Sequence, residues 1–233
     1  MKFTKVYGSD FMNFFLDTNI PIGYTVIHDK WHEQSKTFID NHENDSIFWS
    51  TLVESEYYET LNDIIDQVKI FLENCKSILK TNENDFINYF EFENIILEKT
   101  KGCELDITKK QKILESFWNN SLLNEGISEL IYLKFSEYLH DFQKVYIERQ
   151  KMLKKIMILH DCGPDNYLKY LNYAKQLYMW GIHKPDCKII ADAHDCGTAH
   201  DNLTFVSADI KMIDIITAHK TNFLNIAEIK SCS

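Results

Sequence analysis

The stretch Met12-Asn13-Phe14-Phe15-Leu16-Asp17-Thr18-Asn19 places a short apolar run directly before an acidic turn. Three further short runs, rich in aromatic and branched residues, occupy 46–49, 203–206 and 223–226. Runs of this length, separated by helical patterns, are typical of the buried strands of a parallel sheet. The two ends of the chain are therefore predicted to form an α/β domain.

The middle of the chain carries helical patterns instead. From Leu61 to Leu79, and again from Ile127 to Tyr146, apolar residues recur at the three-and-four spacing of one helix face. Only 3 Pro and 7 Gly interrupt the whole chain. We predict an α/β domain from 1–60 and 181–233, and an all-helical insertion over 61–180. As an alternative for part of this insertion, some of its helices could belong to the α/β core.

Composition limits the class of protein. The 233 residues are 45% hydrophobic and carry a net charge of −10, which excludes a disordered chain and a basic nucleic-acid coat. No apolar stretch approaches the roughly 18 residues of a membrane span, and the order of a signal peptide is missing. The six scattered cysteines form no C-x-x-C pair and predict reduced thiols. We expect a cytoplasmic protein without a membrane partner.

Four acidic residues lie where predicted strands end or a nearby helix begins; they are Asp17, Glu54, Asp186 and Asp209. In an open parallel sheet the ligand crevice lies beyond the carboxyl ends of the strands, so these side chains are expected to face one crevice. Like charges gathered there are costly unless a cation neutralises them. The four acids therefore predict a cation site.

Helix capping and turn formation give each acid a purely structural alternative. The alternatives are a capping box from Thr51 to Glu54, a first-turn position for Asp186 after Pro185, a cap by Ser207 or Asp209 for a helix near Ile210, and a turn at Asp17. Any one acid is more often explained in this way. The four together favour the cation site.

The constellation resembles the PIN-domain nucleases, which include toxin ribonucleases and RNA-processing endonucleases. The resemblance rests on Leu16-Asp17-Thr18-Asn19, on Glu54, on Asp186 with Ile189-Ile190-Ala191-Asp192-Ala193, and on Phe205-Val206-Ser207-Ala208-Asp209. It covers about residues 12–60 and 183–226 and does not reach the helical middle. It implies a three-layer α/β fold with a central parallel sheet.

The resemblance also implies a metal-dependent endoribonuclease. Asp17, Asp186 and Asp209 would hold Mg²⁺ or Mn²⁺, which prefer oxygen ligands, and Glu54 would orient or deprotonate the attacking water. Neighbouring polar groups would support the carboxylates or a phosphate; these are Thr18, Asn19, Ser207 and, as an alternative third acid, Asp192. Asp192 lies about 240° around the helix from Asp186, so the two cannot share a face, and Asp186 is favoured.

Basic residues offer a way to contact RNA. Arg149, Lys151, Lys154 and Lys155 follow one another on a predicted helix and are expected to hold the RNA backbone, although a solvated helix face is the alternative. A second lysine group lies between Lys99 and Lys112.

Other functions stay open at this point. A non-catalytic PIN-like module would use the helical insertion to bind RNA or a protein, either an antitoxin-like or scaffold partner or a second copy of the chain. A metal-dependent phosphoesterase needs only the same acids. A zinc site is a further alternative, drawn from His183, Cys187, His194, Cys196 and His200, but their spacing matches no finger or ribbon, and buried thiols with surface histidines are favoured.

Overall fold

The computed structural model describes residues 12–81, 86, 88–120, 128–163, 166–219 and 224–232. Its elements in chain order are β1 (Asn13–Leu16), α1 (Asn19–Thr25), α2 (His32–Asn41), β2 (Ser46–Ser50), α3 (Thr51–Thr81), α4 (Tyr89–Lys99), α5 (Ile107–Asn120), α6 (Ser128–Ile156), β3 (Met157–His160), α7 (Asn166–Lys169), α8 (Leu171–Met179), α9 (Lys184–Ala199), β4 (Leu203–Ser207), α10 (Ile210–His219) and β5 (Glu228–Ser231).

The five strands form one all-parallel sheet in the order β3-β2-β1-β4-β5. This confirms the predicted α/β class with a parallel sheet. The first apolar run becomes β1, in which Phe14, Phe15 and Leu16 are at most 1% exposed. Because β1 lies in the middle of a parallel sheet, it is buried on both faces, which explains its uninterrupted apolar sequence.

Two edge strands differ from the prediction. The run 223–226 is not the last strand: β5 begins at Glu228, and Leu224 and Ile226 are buried in the segment before it, while Phe223 lies outside the described residues. The strand β3 was not predicted. It pairs with β2 in the register Phe48↔Ile158 and Ser50↔His160.

The chain changes direction across the sheet at β1. From β1 it moves outward to β2 and β3, and it then returns to the other side of β1 to form β4 and β5. The backbone N–H of Asp17 donates to the carbonyl of Val206 over 2.9 Å, which extends the β1–β4 pairing to the end of both strands. Open α/β sheets bind ligands at this kind of topological switch point.

Helix α9 packs against β2 and β4. The neighbouring residues Phe15, Phe48 and Phe205 lie in register, so their side chains share one face of the sheet. Phe48 contacts His200, at the end of α9, with ring centroids 4.3 Å apart. Because side chains alternate along a strand, Asp17 points to the same face as Phe15 and therefore to the face covered by α9.

The chain divides into two compact units. The sheet unit contains 1–24, 33–57 and 153–233, and the helical unit contains 25–32 and 58–152. Residues 153–180, which the sequence assigns to the insertion, belong to the sheet unit because β3 pairs with β2.

The helical unit has an aromatic core of its own. Phe92 contacts Phe117 with ring centroids 5.9 Å apart, and Phe117 contacts Phe135 at 4.7 Å. All three rings are fully buried. These residues come from α4, α5 and α6, so the apolar stripe predicted for residues 127–146 packs through Phe135 against α5.

Two expectations from composition concern thiols and membranes. All six cysteines are free, as predicted for reduced thiols. Among the helices in the described ranges, none has both the length and the apolar content that crossing a membrane requires.

Candidate functional site

Asp17 is the most constrained acid at the switch point. It follows β1 directly, and its residue is 5% exposed. Its Oδ1 accepts a 2.8 Å hydrogen bond from the N–H of Thr18, and its Oδ2 accepts one of 2.7 Å from the hydroxyl of Ser207. Asn19 Nδ2 donates to the same Oδ2. The carboxylate is therefore held in one orientation by three neutral donors.

Ser207 and Asn19 join the ends of the two central strands. Ser207 is fully buried at the end of β4, and its hydroxyl oxygen accepts hydrogen bonds of 3.0 Å from Asn19 Nδ2 and from the N–H of Asp209. Asn19 Oδ1 accepts a 2.9 Å bond from the N–H of Ala208. Both residues thus fix Asp17 and the β4–α10 turn together.

The glutamate at this site is Glu56, not the predicted Glu54. Thr18 Oγ1 donates a 2.8 Å hydrogen bond to Glu56 Oε2. Glu54 lies two positions earlier on α3, about 200° around the helix, so it points to a different side. The capping box from Thr51 is also replaced, because Ser50 Oγ accepts the N–H of Val53 over 3.3 Å and caps α3 one residue earlier.

Helical periodicity does not identify Glu56. The two glutamates flank the buried stripe of Val53, Tyr57 and Leu61 on opposite sides, so neither is marked by its position on the helix. The distinguishing contact is with Thr18, which is 38 residues away in sequence.

Asp186 and Asp209 complete the acidic group. Asp186 lies half-buried in the first turn of α9. Burial raises its pKa, and the negative charges of Glu56 and Asp209 raise it further. Asp209 caps α10, since its Oδ1 accepts the N–H groups of Lys211 and Met212 over 3.0 and 3.2 Å. The capping alternative therefore holds for Asp209, and its charge still acts on Asp186.

The four carboxylates Asp17, Glu56, Asp186 and Asp209, called the acidic site below, have little compensating charge, and the pKa of Asp186 is lowered only by the charge of His183. None of them forms an ion pair with Lys or Arg of the described residues. Burial raises the pKa of Asp17 to about 7, helped by the charges of Asp186 and Glu56 and opposed by the bonds from Ser207 and Thr18. An oxygen-only group without a Lys or Arg partner fits a hard cation such as Mg²⁺ or Mn²⁺.

The acidic site is wide. Within the part of the chain that the structure describes, three donor atoms of different residues come within 4.8 Å of one another only around His160, and not among these carboxylates. Mg²⁺ usually keeps several of its waters and uses one or two carboxylates directly. The spacing therefore fits a hydrated ion rather than a closed cage.

Asp192 does not belong to the acidic site. It is 6% exposed on α9, and it forms a side-chain hydrogen bond with Cys162, whose pKa is raised by burial and by the charge of Asp192. Asp186, whose pKa is raised by the charges of Glu56 and Asp209, is therefore the acid of α9 that lies near the other carboxylates, and its role as the third acid stays a prediction.

The basic residues have mixed environments. Arg149 Nη1 lies 3.1 Å from His32 Nε2 and so takes part in the packing of the helical unit. The side chains of Lys151, Lys154 and Lys155 are exposed on α6, and their contact with RNA stays a prediction. The second lysine group is not a free cationic surface, because Lys110 is 4% exposed and donates to the carbonyls of Thr100 and Cys103.

Comparison of the chain with protein families, with curated proteins and with solved structures gives no match. The function of the protein is therefore inferred from the geometry of the acidic site.

Proposed function

We propose that the protein is a metal-dependent endoribonuclease of the PIN type, with the acidic site as its active centre. The observation that carries the proposal is the position of four carboxylates, none of them ion-paired with Lys or Arg of the described residues, at the switch point between β1 and β4. A bound Mg²⁺ or Mn²⁺ would polarise the scissile phosphate and lower the pKa of water. The metal-dependent hydrolysis of a phosphodiester is the reaction that such a group serves best.

Each acid has a distinct part in this proposal. Asp17, Asp186 and Asp209 bind the ion directly or through water, and the three hydrogen bonds to Asp17 keep its oxygens in place. The hydroxyl of Thr18 fixes Glu56 Oε2, which leaves Oε1 to accept the proton of the attacking water. Ser207, Asn19 and Thr18 are positioning residues.

RNA as the substrate follows from the resemblance and from the exposed lysines. Lys151, Lys154 and Lys155 are three and four positions apart on α6, so they share one face. If they hold the RNA backbone, replacing all three by Glu weakens RNA binding and flattens its dependence on salt. Binding that is unchanged in this variant would leave a solvated helix face as their explanation.

One incubation series tests the proposed activity. The purified protein is mixed with labelled single-stranded RNA, single-stranded DNA or a small phosphomonoester, each with Mn²⁺ or with EDTA. We expect cleavage of RNA alone, blocked by EDTA and lost in Asp17→Asn with the circular dichroism spectrum retained. Hydrolysis of the phosphomonoester would instead indicate a phosphoesterase. Binding without any hydrolysis would indicate a non-catalytic module.

A further inference from the structure

A second group of ligating side chains lies in the sheet unit and shares no residue with the acidic site. His160 ends β3, Cys196 lies in the last turn of α9, and His200 caps that helix. One donor atom from each of the three residues lies within 4.8 Å of the other two. Pairing of β3 with β2 brings His160 to this position, which explains why the sequence does not show it.

The helix end fixes two of these residues relative to each other. Cys196 and His200 are four positions apart, and the N–H of His200 donates to the carbonyl of Cys196 over 2.9 Å. Residues at this spacing lie on the same helix face, one turn apart. Cys196 is fully buried, whereas His160 and His200 are half-buried, so solvent reaches the two histidines but not the thiol.

Neighbouring polar groups orient His160. Its Nε2 lies 3.1 Å from Asp195 Oδ2, and Asp195 Oδ1 also accepts the hydroxyl of Tyr170 over 2.6 Å and Lys169 Nζ over 2.9 Å. A carboxylate that holds one ring nitrogen of a histidine while the other nitrogen binds a metal is a frequent arrangement around zinc. Cys162 forms a second close group with His160 and Asp195, which adds another thiol beside the first.

We propose that His160, Cys196 and His200 bind a zinc ion. One thiolate and two imidazoles are ligands that Zn²⁺ prefers, whereas the oxygen-only acidic site suits Mg²⁺ or Mn²⁺. Zinc–sulfur and zinc–nitrogen bonds of about 2.3 and 2.0–2.1 Å imply donor separations of roughly 3.3–3.6 Å in a tetrahedral site. The donor atoms of the three side chains lie within 4.8 Å of one another without an ion.

Binding of zinc involves one proton and no redox change. The thiol of Cys196 loses its proton to solvent as the zinc–sulfur bond forms, and the two imidazoles bind in their neutral form. The ion would tie the end of β3, an edge strand, to the end of α9. Zinc is therefore expected to stabilise the sheet unit independently of the proposed nuclease activity.

The residues that the sequence offers as an alternative zinc site separate into two groups. Cys196 and His200 belong to the proposed site. His194 Nδ1 instead accepts the N–H of Asn225 over 2.9 Å, and the Cys187 thiol donates to the carbonyl of Ile182 over 3.4 Å. His183 is exposed before α9.

Metal binding to the full chain tests the proposal. The purified protein is stripped with a chelator, reduced, and titrated with Zn²⁺ alone and with Co²⁺ alone. We expect about one tightly bound equivalent of each, a zinc-dependent rise in melting temperature, and a thiolate-to-cobalt charge-transfer band in the near ultraviolet. Replacing Cys196 by Ser or His200 by Gln should weaken Zn²⁺ binding more than about 100-fold, since loss of outer partners alone costs 10–100-fold.

Matched variants separate this site from others. Cys187→Ser removes a buried thiol from the same helix, and His140→Gln removes an exposed histidine; both should retain zinc binding and the cobalt spectrum. Because His200 is half-buried, His200→Gln keeps the test valid if Cys196→Ser does not fold. Absence of tight Zn²⁺ binding, full binding in His200→Gln, or loss of the ion in Asp17→Asn would overturn the proposal.

Discussion

The hydroxyl of Thr18 donates a 2.8 Å hydrogen bond to Oε2 of Glu56. This bond joins the residue after Asp17 to the second turn of α3, and it brings a fourth carboxylate into the range at which its charge raises the pKa of Asp17 and Asp186. The glutamate that belongs to the acidic site is therefore identified by a contact between the end of β1 and helix α3.

The first prediction compares the two glutamates of α3. In Glu56→Gln the group that we propose as proton acceptor is neutral, so RNA cleavage should fall by about 10²–10⁴-fold at saturating Mn²⁺. Glu54→Gln makes the same chemical change two residues away and should leave cleavage unchanged. Single-turnover rates of both variants provide the measurement. Equal losses in the two variants would contradict the assignment.

The second prediction concerns Ser207, whose hydroxyl bonds Asp17, Asn19 and the backbone of Asp209. Ser207→Ala leaves these buried groups with fewer partners and should lower the free energy of unfolding in EDTA by about 1–3 kcal/mol. Because the bond from Ser207 lowers the pKa of Asp17, that pKa should rise in the variant. Cleavage at a fixed, limiting Mn²⁺ concentration should then require a higher pH.

Urea denaturation and the pH profile of cleavage measure these two effects. Ser55→Ala, at an exposed position of α3, is the control and should change neither. A Ser207→Ala variant with the stability and pH profile of the wild type would show that the hydroxyl does not support Asp17.

The central strands could be predicted from sequence, and the edge strands could not. Strands β1, β2 and β4 are buried on both faces, so the sequence of each strand is a nearly continuous apolar run. In β3, Ile158 and Leu159 are about half exposed, and the strand follows α6 without a Pro or Gly to mark the change. Strand β5 is four residues long and has no fully buried position.

The same reasoning explains which residues of the two candidate sites can be identified from the sequence. Asp17, Asp186 and Asp209 are marked locally, because each directly follows a strand or opens a helix. Glu56 and His160 take their positions from pairings between distant segments, through Thr18 for Glu56 and through β2 for His160. A motif of adjacent residues cannot carry that information.

The third prediction concerns His28 in the helical unit. Its ring is buried, Nε2 lies 3.0 Å from the hydroxyl of Tyr138, and the ring stacks on Phe142. Burial lowers the pKa of His28 to about 3, helped by the positive charges of His32, Lys112 and Arg149. The unfolded chain binds a proton near pH 6.5, but the folded chain does so only near pH 3. Folding should therefore lose stability as the pH falls through this window.

The test is the difference in free energy of unfolding between the wild type and His28→Gln, followed from pH 8 to pH 4. Gln can still bond Tyr138 and does not titrate. Asp17 contributes the opposite dependence of stability on pH, because it binds its proton more tightly in the folded state. That contribution is the same in the wild type and the variant, so it cancels in the difference. Below about pH 6.5 the wild type should lose stability relative to the variant by up to about 1.4 kcal/mol per pH unit. If the difference in free energy of unfolding did not vary with pH, protonation of His28 would not destabilise the folded chain, and the prediction would be wrong.

The fourth prediction concerns Gly197, which lies inside α9 although glycine costs a helix about 1 kcal/mol relative to alanine. A Cβ atom at this position would overlap the carbonyl oxygen of Asn225 and lie 2.8 Å from its carbonyl carbon. The backbone of Asn225 is held in place, because its N–H donates to His194 Nδ1 over 2.9 Å. Gly197→Ala should therefore lower the free energy of unfolding by roughly 1–3 kcal/mol, despite the better helix propensity of alanine.

Gly102→Ala is the matched control for this substitution, because a Cβ atom there meets nothing within 4 Å. Its free energy of unfolding, measured by urea denaturation beside that of Gly197→Ala, should stay within about 0.5 kcal/mol of the wild type. If Gly197→Ala were as stable as this control, the segment before β5 would have to move away from α9 at no cost. That result would contradict the close packing of Asn225 on the helix and the anchoring role given to His194.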